Sequence, residues 1–217
     1  MNIQLAGTSL VVTALCVSTA VAIPAGLLQF QREKHIFRQQ KALEKLASTD
    51  TLTGALNRRA FCDAVSDEQR RMDRSSTRGA ILLFDVDWFK AVNDRYGHAA
   101  GDVVLKRIAS RAQKELRRPS DHFARWGGEE FAIFLSDVSF DLALRVAERL
   151  KSELSQLRFE FEGEFVSITA SFGVTALSDA TLLEDALRNA DGALYDAKLA
   201  GRNQVIAAAQ CESQVAA

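Results

Sequence analysis

Net charge is almost absent from this chain of 217 residues: 27 lysines and arginines face 28 acids, leaving a formal −1 with histidine neutral. That balance offers no polybasic surface of the kind that coats nucleic acid. Cysteine is scarce too, at three residues (Cys16, Cys62 and Cys211), far apart and odd in number. They fit neither a disulfide framework nor a zinc knuckle, and they point to a reducing compartment. After Ser48 the chain has one proline, Pro119, and no low-complexity tract. With 47% hydrophobic and 25% charged side chains, it can build one globular domain with a real core and something more.

The last absence is local. From Met1 to Gln31 no side chain is charged, and LAGTSLVVTALCVSTAVAIPAGLL fills that stretch. It supplies roughly the ~20 apolar residues that span a bilayer as a helix. A cleaved signal peptide would carry basic residues ahead of the apolar run, and there are none. The first charges come after it, at Arg32, Lys34, Arg38 and Lys41. Positive residues favour the cytoplasmic side, so a single-pass anchor in the inner membrane, with the rest in the cytoplasm, is expected, with a buried helix of a soluble protein as the alternative. With so few residues ahead of the apolar run, no external sensor domain is expected. The expected organisation is an anchor over 1–31, a linker helix over 32–48, a domain over 49–208 and a tail over 209–217. The linker carries Ile36, Leu43 and Leu46 as a thin heptad-like seam, readable either as a solvated helix or as a short coiled coil between two copies.

Within the domain, Asn57 is a plausible cap for a helix bearing Phe61, Ala64 and Val65. AILLFDVD (80–87) is a continuous apolar run ending in acids, the pattern of a buried strand. WFKAVNDRYG predicts a short helix stopped at Gly97, and Val104, Leu105, Ile108, Ala112 and Leu116 mark a longer one. HFARW and FAIFL flank GGEE as two strands of a hairpin. Phe140, Ala143, Leu144, Ala147, Leu150 and Leu154 form the stripe of another helix. A hairpin turning near Gly163 follows, its second arm alternating Val166, Ile168, Ala170, Phe172 and Val174 against Ser167, Thr169 and Ser171, as in a half-buried strand. Thr181 and Glu184 suggest a capping box for a last helix ended by Gly201, and NQVIA closes as a strand. This order predicts an α+β domain, a mostly antiparallel central sheet flanked by helices.

Asp85 and Asp87 stand two apart at the end of one predicted strand, so their side chains share a face. If that strand lies beside the GGEE hairpin, up to four carboxylates crowd one volume. Such a cluster raises carboxylate pKa values or demands a hard cation, and oxygen ligands with room for water and phosphate suit Mg²⁺. Taken alone, the acid pair reads more simply as a solvated strand end and GGEE as an ordinary turn. Their coincidence, with basic residues downstream, favours a site.

These residues also carry a resemblance. TDTLTGALNRRAF (49–61), DVDWFKAVNDRYGHAAGDVVL (85–105), RWGGEEF (125–131), SITASFGVT (167–175) and ADGALYDAKLAGRNQV (190–205) resemble, in order, the GGDEF family of diguanylate cyclases. GGEEF is one of the two common forms of that signature. The resemblance implies a nucleotidyl-cyclase-like fold and condensation of two GTP into cyclic di-GMP with Mg²⁺ (or Mn²⁺). It implies that Asp85, the carbonyl of Val86 and Glu129 hold the metal, and that Glu129 or Glu130 helps deprotonate the attacking 3′-hydroxyl. Lys90 would offset charge on the phosphates, while Lys198 and Arg202 grip the triphosphate. Asn93 and Asp102 would read guanine, with His98 either touching substrate or packing its loop.

Guanine offers N1–H and N2–H donors to a fixed carboxylate, whereas adenine would leave that carboxylate unpaired. Gly127 and Gly128 would leave room for the nucleotide. Because one GTP per domain cannot close a cyclic dinucleotide, a homodimer is implied. Arg118 and Asp121 occupy the position of a product-binding RxxD pair, although Arg70/Asp73 and Arg188/Asp191 share the bare spacing. The competing expectation is a silent module of the same family that binds GTP or cyclic di-GMP and signals through a partner.

Overall fold

The computed structural model of the chain describes residues 48–71, 79–116, 118–178 and 181–209, together with Gln29, Arg32 and Lys34, which are helical. The rest of the expected anchor and the seam at Ile36, Leu43 and Leu46 lie outside the described residues. Among the described residues, no helix is long and apolar enough to cross a membrane. The chain divides into two units, Met1–Ala47 and Ser48–Ala217, and the second carries the fold.

That unit begins with β1 (Leu56–Asn57), α1 (Arg58–Arg71), β2 (Gly79–Val86), α2 (Phe89–Tyr96) and α3 (His98–Glu115). It continues with β3 (His122–Gly127), β4 (Glu130–Leu135), α4 (Phe140–Ser155), β5 (Arg158–Phe161) and β6 (Glu164–Ser167). It closes with β7 (Ala170–Leu177), α5 (Leu183–Leu199) and β8 (Val205–Ala207).

Strand β2 is buried along its whole length, and its alternation divides the core. Leu82 and Phe84 join Val104, Leu105 and Ile108 of α3 and Ala143, Ala147 and Leu150 of α4. Ile81 and Leu83 join Phe61 and Val65 of α1 and Ala186, Ala190 and Leu194 of α5. The sheet is thus sandwiched between two helical layers. On the α3/α4 face an aromatic ladder crosses the strands: Phe84 stacks on Phe131 at 5.1 Å and on Phe172 at 4.8 Å, and Phe131 on Phe123 at 5.6 Å. On the other face Gly173 lets α5 sit against bare backbone, since a Cβ there would lie 2.0 Å from the Ala190 carbonyl oxygen. Local signals hold at several ends: Asn57 Oδ1 accepts from Ala60 N at 2.9 Å to cap α1, and α2 stops at Gly97 with φ 80.

Three expectations change. The central sheet, in order β1-β3-β4-β2-β7-β8, is mixed rather than mostly antiparallel: its interior pairs run antiparallel, but both edge strands join parallel. Those edges are two and three residues long, too short to leave a periodic signature. The alternating arm over 166–174 is not one strand. Its first part, β6, pairs with β5 in a separate two-stranded sheet, and β7 enters the main sheet after a break at residues 168–169. Nor is β7 half-buried, because α5 covers the face carrying Ser171 and Thr175. The capping box at Thr181 and Glu184 does not form. The N-cap of α5 is Leu182, without a side-chain bond, and the Thr181 hydroxyl pairs instead with Ser178 Oγ at 2.8 Å.

Candidate active site

Asp85 lies one residue from the end of β2, with the parity that faces α5. Lys198, in the last turn of α5, reaches it: Nζ lies 2.9 Å from Asp85 Oδ2. On the neighbouring strand Glu130 stands directly opposite Asp85 in the register, and Glu129 precedes it in the turn. The Val86 amide donates to the Glu129 carbonyl at 3.3 Å, so the ends of β2 and of the hairpin are joined through backbone. Burial pushes the Asp85 carboxyl up to about 6; Glu129 and Glu130 add to that, and Lys198 opposes it.

What this corner would offer a cation is oxygen only, from Asp85, Glu129 and the Val86 carbonyl. Among the described residues, no three acidic, histidine or cysteine side chains are arranged to hold a metal by themselves. That combination fits Mg²⁺, which commonly takes one or two protein carboxylates and completes its shell from phosphates and water.

Asp87 does not join this group, contrary to the expected four-carboxylate cluster. It is 4% exposed, and its carboxylate accepts from Thr169 Oγ1 and Ser171 Oγ at 2.7 Å each and from Asn203 N at 3.0 Å. A carboxylate so fully bonded is a strut, not a free ligand. Its donors come from residues distant in sequence, which two acids two positions apart could not reveal.

The GGEE turn is braced from behind. Arg125 Nε donates to the Gly128 carbonyl at 2.8 Å, and Arg125 Nη1 lies 3.2 Å from Asp50 Oδ2. Burial alone would raise the Asp50 carboxyl, but hydrogen bonds from Thr53 and the charge of Arg125 outweigh it and hold it below its ordinary value. Gly128 has φ 56, and a Cβ added at Gly127 or Gly128 would meet nothing within 4 Å, so the turn fronts open space. The sequence pointed to the glycines and acids but missed the Asp50–Arg125 brace.

Lys90 is exposed in the first turn of α2. Asn93 sits on the side of α2 that meets α3: a Cβ at Gly101 would fall 2.0 Å from Asn93 Oδ1. Asp102 follows Gly101 and is exposed, so Asn93 and Asp102 flank one junction. His98 begins α3, also exposed. Arg202, in the turn after α5, holds its guanidinium carbon over the Trp88 ring, 4.0 Å from the centroid. The strand ends and the turns beside them therefore gather Asp85, Val86, Glu129, Glu130 and Lys198, with Arg202 set on the residue two after Val86.

Residues 47–204 match the family described as Diguanylate cyclase, GGDEF domain. This chain belongs to that family. It is 41% identical over 168 residues to the diguanylate cyclase DgcP of Pseudomonas aeruginosa, covering 77% of this chain and 24% of that one. Against diguanylate cyclase A of Treponema denticola the identity is 34% over 167 residues, 75% of this chain and 45% of the relative. The chain thus spans less than half the length of these two curated relatives. Among solved structures, the GGDEF domain of DgcB from Caulobacter crescentus, in complex with c-di-GMP, superposes with TM-score 0.71 at 32% identity, covering 75% of this chain and 96% of that one.

The second pair picked out in this GGDEF domain, Arg118 and Asp121, lies elsewhere. It sits by Ser136, just past the far end of β4 and six residue steps from Glu130, roughly 20 Å at the usual rise. Asp121 Oδ1 accepts from Ser136 N at 3.0 Å, Asp121 Oδ2 from Arg118 N at 3.1 Å, and Arg118 Nη1 donates to the Ser136 carbonyl at 2.5 Å. The pair lines a cleft of about 190 Å³ with Leu135, Val138, Glu115 and Arg149. Glu115 and Arg149 carried no sequence signal, because their ion pair joins two helices 34 residues apart.

Proposed function

We propose that the chain is a diguanylate cyclase: two copies, each holding one GTP, form cyclic di-GMP and release pyrophosphate. The observation that carries this reading is the meeting of Asp85, Val86 and Glu129 at one strand end, with Lys198 on the Asp85 carboxylate. In the proposal Asp85, the Val86 carbonyl and Glu129 hold Mg²⁺ (or Mn²⁺). When bound, the ion polarises the phosphates and steadies charge during in-line displacement. Glu129 or Glu130 accepts the proton of the 3′-hydroxyl. Lys90, Lys198 and Arg202 hold the triphosphate tail, and Gly127 and Gly128 leave the nucleotide space beside the turn.

Asn93 and Asp102 read guanine from the α2–α3 junction, with His98 beside them. A two-fold dimer brings each 3′-oxygen to the partner's α-phosphate. Cyclic di-GMP binds back at Arg118 and Asp121, where a guanidinium and a carboxylate together match the edge of guanine. The apolar residues 1–31, followed by basic ones, anchor the domain at the inner membrane with its active site in the cytoplasm.

The test is incubation of the chain with Mg²⁺ and GTP, then with ATP. Pyrophosphate and a cyclic dinucleotide should form from GTP alone, at a rate rising more steeply than protein concentration. Product yield unchanged by Glu129→Ala would defeat the metal assignment, and GTP bound without turnover would favour a silent module.

A further inference from the structure

Three non-glycine residues with left-handed backbone meet at one place: Trp88 (φ 58), Arg202 (φ 65) and Asn203 (φ 49). Side-chain-bearing residues rarely hold such angles unless their surroundings impose them, and clusters of them mark places where geometry matters. Here Asp87 imposes them. Its Oδ2 takes the Asn203 amide at 3.0 Å, and its own amide donates to the Thr169 carbonyl at 2.9 Å. Ser171 Oγ completes the knot by donating to Asp87 Oδ1 at 2.7 Å and accepting from Asn203 N at 3.1 Å. The turn leaving β2 is thereby fixed to the turn leaving α5.

The consequence is a cation–π pair. The Trp88 ring is 67% exposed and covers no core, yet the Arg202 guanidinium lies 4.0 Å from its centroid. Arg202 takes part in no ion pair among the described residues. A guanidinium held over an indole loses rotational freedom, and among the described residues no hydrogen bond or ion pair occupies its N–H donors. The pair flanks the group formed by Asp85, Val86 and Lys198.

We propose that Trp88 is a positioning residue: its ring holds Arg202 with the donor edge free for the anionic triphosphate tail of the substrate, while Asp87 fixes the distance between the two turns. This rests on the reading of Arg202 given above. It separates two neighbouring acids by role, Asp85 toward the cation and Asp87 toward the architecture that aims a cation-bearing side chain.

The experiment uses the full chain and the variants Trp88→Ala, Trp88→Phe, Arg202→Ala and Trp88→Ala/Arg202→Ala. It measures calorimetric Kd values for inorganic triphosphate, for a GTP analogue with a non-cleavable α,β bridge, and for GMP, along with KM and kcat. Trp88→Ala should weaken both triphosphates about three- to ten-fold, the range expected for one cation–π contact. The rise should appear in KM more than in kcat. GMP binding should stay unchanged, Trp88→Phe should recover most of the loss, and the double variant should be no weaker than Arg202→Ala alone. Losses that add in the double variant, or an equal loss for GMP, overturn the inference. Arg202→Ala leaving triphosphate binding intact overturns the reading beneath it, whereas a loss with Arg202→Ala and none with Trp88→Ala overturns the positioning role only.

Discussion

Replacing Asp85 with asparagine should make the metal-free protein more stable at alkaline pH while abolishing cyclase activity. The folded carboxyl titrates at about 6 against an ordinary value of 3.8, chiefly because it is buried and secondarily because Glu129 and Glu130 face it. A folded pKa above the unfolded one means that the folded state binds this proton more tightly. The ionised group therefore penalises folding at every pH above about 6, and the penalty fades as pH falls toward 4. A difference of about two pKa units corresponds to about 3 kcal/mol. The asparagine amide brings its own donors beside Lys198, so about 1–2 kcal/mol of stabilisation is the expected net effect.

Urea denaturation of wild type and Asp85→Asn in EDTA, at pH 8 and pH 4.5, measures it. The variant should be the more stable at pH 8, with most of the gap gone at pH 4.5. Adding Mg²⁺ with GTP should reverse the order at pH 8, because only the wild type gains from binding. A variant less stable than wild type at pH 8 without metal, or a gap that ignores pH, would refute the reasoning.

Further expectations follow from single contacts. Arg118→Ala should abolish inhibition by added cyclic di-GMP while costing about 1 kcal/mol for the lost bonds to the Ser136 region, read by product titration and thermal unfolding; persistent inhibition would remove the feedback role. Gly101→Ala would put a Cβ onto Asn93 Oδ1 and 3.0 Å from the buried Phe89 ring, so it should raise KM for GTP and narrow the preference for GTP over ITP, with some loss of stability. Phe84→Ala empties the middle of the aromatic ladder and should cost about 3–5 kcal/mol in denaturant unfolding. A loss below about 1 kcal/mol would show that the ladder collapses around the gap.

Much of this was legible in the residues because it is local. The apolar run at 80–87, the glycine-centred turn between HFARW and FAIFL, the cap at Asn57 and the stop at Gly97 each depend on a few neighbouring side chains. The site's main convergence was legible too, since a strand ending in Asp85 beside a hairpin ending in Glu129 and Glu130 needs only adjacency. What escaped depends on distant partners. Asp87 resembles Asp85 in sequence and differs only because Thr169, Ser171 and Asn203 reach it. The period-2 run over 166–174 continues through a break where the chain changes sheets, because alternation reports faces and not pairing partners. Thr181 has the spacing of a cap but is drawn to Ser178.

The seat of α5 on β7 limits how this domain can be governed. With the Ala190 carbonyl and the Leu194 amide pressed onto the strand at Gly173, that helix has no clearance to slide or roll without prising the layer apart. The ammonium carried in its last turn meets the carboxylate at 2.9 Å from a backbone seated tightly on the sheet. Control by sliding this helix along the sheet would first have to break that seat.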